Sequence, residues 1–148
     1  MMKRFQHQFE VRAPLDRVAE FHRDAHALRR MTPPPVIVQF HVVQPMREGS
    51  VVDFTLWLGP IPVRWVAVHH DIRPLNGFTD SMMRGPFEAW VHTHRFEAID
   101  ENHTRIIDTV DALPGPHPFW GRISKILWNN LPILFAYRQW RTKRSLET

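Results

Sequence analysis

"GPFEAWVHTHRFEAID", residues 85–100, decides how this chain is read. Trp90, His92, His94 and Phe96 recur at every second position, so on an extended strand they share one face. Such a face could be a metal site, an acid–base pair or the wall of a pocket for an apolar molecule. Its neighbours in the chain narrow the choice.

The same alternation occurs at residues 3–11, where Phe5, His7, Phe9 and Val11 fall on one side of a half-buried strand. Pro14 then opens a helix through His22, with Leu15, Val18, Phe21 and His22 on one stripe. A short second helix is expected over 24–31. It stops at Pro33-Pro34-Pro35, which no helix can continue. Five strand-like segments follow before the last one: 36–44, 51–58, 63–72, 78–84 and 87–99, separated by Pro, Gly and Asn-Gly turn signals. The last strand is 104–113. Strands of about ten residues with a turn between each form an antiparallel meander.

After Pro118 the period changes. Phe119 to Trp140 carries a wide apolar stripe at helical spacing, interrupted by Pro132, which must kink or break the helix near Trp128–Asn129. The fold class is therefore α+β, in the order β-α-α-β6-α. A six-strand meander with one apolar face has to curl and cover that face, and the C-terminal helix is the element long enough to do so. A small-molecule site belongs in the space between them.

Composition agrees with one globular domain spanning 1–148: 43% of residues are hydrophobic and 23% charged, and 13 Pro against 6 Gly imply many stiff turns. With no cysteine there is neither a disulfide framework nor a thiolate ligand nor a Cys nucleophile, and a reducing, cytoplasmic setting is expected. The net charge of +4 is spread over scattered Arg and Lys, without a stacking motif or a Gly-rich phosphate loop, so no nucleic-acid partner is expected. The basic C-terminal tail, Arg138, Arg141, Lys143 and Arg144, is compatible with weak contact with an anionic membrane surface. Oligomeric state is left open.

The phrase "GPF..W.H.H.F......T...D.V....P" at 85–114, with "Ala-Pro-Leu-Asp-Arg-Val" at 13–18 and "Phe-Ala-Tyr-Arg" at 135–138, resembles the SRPBCC superfamily, which includes START-like lipid carriers and polyketide cyclases/dehydrases. The resemblance covers essentially the whole chain. It implies a helix-grip fold, a curved seven-stranded antiparallel sheet wrapped around a long C-terminal helix, with a deep hydrophobic cavity between them. It implies much less about activity. Related sequences often carry Tyr two residues before Pro114, where this chain has Ala112.

Pairing the last two strands about the turn at 100–102 sets His94 opposite Asp108, Phe96 opposite Ile106 and His92 opposite Val110. The resemblance places the first strand beside the last, which brings His7 to the same patch. The expected ligand wall is thus His7, Trp65, Met82, Trp90, His92, His94, Phe96 and Asp108. Three chemistries fit it. Asp108 can fix the tautomer of His94 in a buried polar pair that orients a ligand. The same pair, His94 and Asp108, can serve as the catalytic acid–base of a cyclase or dehydratase. Or His-x-His with a carboxylate can bind a metal, although Trp90 and Phe96 suit an apolar wall better. Binding of a hydrophobic or amphipathic molecule, such as a lipid, isoprenoid or aromatic polyketide, without cofactor or metal, is the favoured expectation. Asp80 is expected to face outward, and His69 and His70 point to opposite faces of their strand, so at most one can join the site and a solvated His is expected over a site His.

Overall fold

A computed structural model describes residues 1–147. It contains β1 (Lys3–Val11), α1 (Leu15–Arg23), α2 (Ala27–Arg30), β2 (Ile37–Val43), β3 (Val51–Leu58), β4 (Ile61–Arg73), β5 (Gly77–Arg84), β6 (Phe87–Asp100), β7 (His103–Pro114), α3 (Pro118–Asn129) and α4 (Leu131–Leu146). The seven strands form one antiparallel sheet in the order β1-β7-β6-β5-β4-β3-β2. From β2 onward each strand pairs with the next, as short turns dictate. Only β1 joins from a distance, beside β7.

Period-two burial follows from the sequence pattern. In β7 every second residue, Thr104, Ile106, Asp108, Val110 and Ala112, is buried. In β6 the buried positions are Phe87, Trp90, His92 and Phe96. The step from Phe87 to Trp90 breaks the parity because a register shift lies between Phe87 and Ala89. Further shifts in β2 and β4 bend the sheet, as an extra residue in one strand does. The chain leaves β1 at one edge and enters β2 at the other, so α1 and α2 must cross the concave face. α1 lies over β6 and β7, α2 over β2, and α4 along β1.

The single long C-terminal helix expected from the apolar stripe is two helices. α3 ends at Asn129 and α4 starts at Leu131, with Pro132 in its first turn. Proline supplies no N–H there and its ring collides with the carbonyl four residues back, so the break falls where the proline puts it. His117 caps α3, its Nδ1 accepting from the backbone N–H groups of Phe119 and Trp120 at 3.1 and 3.2 Å.

The core has two parts. One gathers Phe54, Trp65, Phe87, Trp90, Val110, Leu131 and Phe135. The other gathers Val11, Val18, Phe78, Phe96, Ile106 and Leu146. The histidine pair of β6 lies where they meet: His94 stacks on Phe78 at 4.1 Å, and His92 meets the edge of Phe135 at 5.5 Å.

Candidate ligand cavity and its polar end

Between the concave face, α2 with the proline loop, and the α3–α4 junction lies a cavity of about 510 Å³. Most of its wall is apolar: Leu28, Met31, Phe54, Trp65, Trp90 and Leu131 are representative. Ile126 and Ile133 also line it and are 54% and 65% exposed, which marks the mouth beside the helix break. Its inner end is polar, with His22, His69, Asp80, His92, His94 and Arg138 all on the wall.

Strand register puts these groups together. His94 is paired with both Phe78 of β5 and Asp108 of β7, and His92 with both Asp80 and Val110. The expected β6–β7 register is the observed one, but the hydrogen bonds run diagonally. His92 Nε2 donates to Asp108 Oδ1 at 2.8 Å, and His94 Nε2 donates to Asp80 Oδ2 at 2.7 Å. His94 Nδ1 lies 3.4 Å from Asp108 Oδ1, and the two imidazoles stack at 3.7 Å.

The carboxylates are ionised. Burial works to raise both, yet the bond from His94 and the nearby His92 hold Asp80 down at about 2, and the bond from His92 with the nearby His94 holds Asp108 at about 2. An ionised carboxylate only accepts, so each Nε2 carries the proton of its ring. His94 is pushed below the ordinary histidine value by burial first and by His92 second, against Asp80 and Asp108. Burial pushes His22 down to about 4, although its Nδ1 donates to the Val18 carbonyl at 2.8 Å. His69 is lowered by burial as well, and its Nδ1 meets Ser50 Oγ at 3.0 Å.

Arg138 is different. Burial lowers its guanidinium, with Asp108 and Asp80 opposing, but an arginine stays charged at neutral pH. One face of the group rests on the Phe135 ring at 5.1 Å, and its Nε is buried without a hydrogen-bond partner.

Among the expected wall residues, Trp65, Trp90, His92 and His94 line the cavity. Asp108 stands behind His92 rather than on the surface. His7 is opposite Asp108 in register but turns to Gln139, its Nε2 at 2.8 Å from Oε1, and packs against Phe135. Phe96 is filled in below α1, 4.7 Å from His22, and Met82 packs against the core beside Gly85. Four groups beyond the expected ones join the wall. Asp80 faces inward because β5 keeps Phe78 and Asp80 on one parity and His94 gives the carboxylate a donor. His69 is buried because Ser50 satisfies its ring. His22 reaches the site from the inner stripe of α1, and Arg138 from α4, one turn after Phe135.

Asp80, His92 and His94 bring three donor atoms within 4.8 Å of one another, the trio best able to hold a metal. Their rings are nearly parallel, at 28°, and face to face, so one ion cannot lie in both ring planes unless a ring turns.

Solved structures match this architecture over nearly the whole chain. The Zhui aromatase/cyclase from a Streptomyces species is 18% identical with a TM-score of 0.71, covering 98% of this chain and 96% of that one. The chain has the helix-grip fold. Norcoclaurine synthase from Thalictrum flavum, solved with dopamine and hydroxybenzaldehyde, shares the fold at 15% identity and a TM-score of 0.72, over 97% of this chain and 86% of its own. A START superfamily protein from Mycobacterium smegmatis shares it at 11% identity and a TM-score of 0.66, over 97% of both chains. No family model matches the sequence, and no curated protein matches it. No helix among the described residues is long and apolar enough to cross a membrane.

Proposed function

We propose that this helix-grip chain encloses a hydrophobic or amphipathic small molecule, with the apolar part against Trp65, Trp90 and Leu131 and a polar end at the His–Asp–Arg cluster. The observation that carries the reading is the cavity itself: about 510 Å³, apolar over most of its wall, with ionisable groups gathered at one end. Burying roughly 200–300 Å² of apolar ligand surface contributes about 5–7 kcal/mol before the entropic cost of association, so apolar contact supplies much of the binding and the polar end must add to it. No reaction is needed to account for the site.

Acid–base catalysis by His94 with Asp108 is the second reading, and the geometry weakens it. The Nε2 proton of His94 is held by Asp80, and Nδ1, the atom a base would use, lies 3.4 Å from Asp108 Oδ1. The pair is better arranged to hold a ligand than to take its proton. Native mass spectrometry of freshly purified protein, followed by organic extraction, tests the proposal. A bound hydrophobic molecule, or uptake of one added apolar molecule per chain, is the expected result. A protein that carries none and takes up none contradicts it.

A further inference from the structure

The polar end of the cavity holds one cation whose donors are unspent. Every other polar group there has a partner. Asp80 accepts from His94, Asp108 from His92, His22 is bonded to Val18 and His69 to Ser50. Arg138 has none of these. Arg138 is half-buried, its Nε is shielded from solvent and makes no hydrogen bond, and it forms no ion pair among the described residues. Phe135 supports one face of the group and leaves the edge, where the N–H donors lie, free for the cavity. A shielded N–H donor without an acceptor is costly, and an anion that enters the cavity removes that cost.

Resting on the reading of this cavity as a ligand site, we infer that the ligand is an amphipathic monoanion whose carboxylate, or equivalent single-charged oxygen group, pairs with Arg138. A guanidinium offers parallel N–H donors that match the two oxygens of a carboxylate. The charge of the surroundings limits the ligand to one negative charge. Asp80 and Asp108 are both ionised and outnumber Arg138, so a dianionic phosphate meets more repulsion than a carboxylate does.

The test compares matched ligands by displacement of an apolar fluorescent dye: dodecanoic acid against dodecanol, and naphthoic acid against naphthylmethanol. In the wild type each acid is expected to bind about ten-fold or more tightly than its alcohol, the size of one charge-assisted hydrogen bond. The tighter of the two acids shows whether the site takes a straight chain or an aromatic ring. Arg138→Met should abolish the preference while alcohol affinity stays within a few-fold, and Arg138→Lys should keep part of it. Equal binding of acid and alcohol by the wild type, or an intact preference in Arg138→Met, overturns the inference while leaving the cavity a ligand site. Failure of dye, acids and alcohols alike to bind overturns the ligand-site reading as well.

Discussion

Replacing His22 by Phe should remove a defined part of the acid sensitivity of the fold. In the folded chain His22 titrates at about 4, against 6.5 for an ordinary histidine. Between those values the unfolded chain binds a proton that the folded chain refuses, so stability falls as pH falls. Above 6.5 both states are neutral at this residue and the penalty is gone. At about pH 5 the difference amounts to roughly 2 kcal/mol, growing to about 3 kcal/mol once the pH passes below the folded value. Phe retains the ring contacts with Phe96 at 4.7 Å and Phe21 at 5.2 Å, and loses only the bond to the Val18 carbonyl. At neutral pH the His22→Phe variant should therefore stand within about 1 kcal/mol of the wild type. On moving to about pH 5 it should lose about 2 kcal/mol less than the wild type does. A residual slope remains, because His94 and His69 are also lowered by burial. Urea unfolding followed by tryptophan fluorescence at the two pH values measures both drops. If the variant loses as much stability as the wild type, His22 is not buried neutral as described and the electrostatic picture of the polar end fails.

Further outcomes follow from the same geometry. Gly77 has φ of +131°, and a Cβ there would overlap the His94 carbonyl oxygen, so Gly77→Ala should cost about 3 kcal/mol or more by urea unfolding. Asp108 is held at about 2 against an ordinary 3.8, so its contribution is present above 3.8 and lost as pH falls towards 2; Asp108→Asn should flatten that part of the acid-unfolding curve followed by circular dichroism. His94→Ala should leave affinity for uncharged apolar ligands within a few-fold in a dye-displacement assay, whereas collapse of all retention would count against a wall that is mainly apolar.

Much of the architecture was legible because a strand with one buried face has little freedom in register. Ile106, Val110 and Ala112 share a parity with Asp108, and a one-residue slip would have turned all of them to solvent. The helix break was legible from Pro132 for an equally local reason. The polar end was less so. Asp80 reads as an outward residue and His69 cannot be told from His70, because an inward polar group needs a partner and neither partner is near in sequence: His94 is fourteen residues from Asp80, and Ser50 nineteen from His69. Arg138 looked like one cation of a basic tail until α4 placed it one turn from Phe135, facing the cavity. That diagonal bonds, His92 to Asp108 and His94 to Asp80, replace the straight pair across the strands depends on side-chain rotamers, which register does not specify.

The central claim, that the space under the sheet is a ligand site, is tested most directly by titrating an apolar fluorescent dye into the wild type and into Ala67→Phe. Ala67 is buried and lines the cavity from β4, so the added ring occupies the space a ligand would use. The account predicts saturable binding of one dye per wild-type chain and its loss in Ala67→Phe, with circular dichroism of the two proteins alike. Equal binding by both proteins would place the dye elsewhere and contradict it.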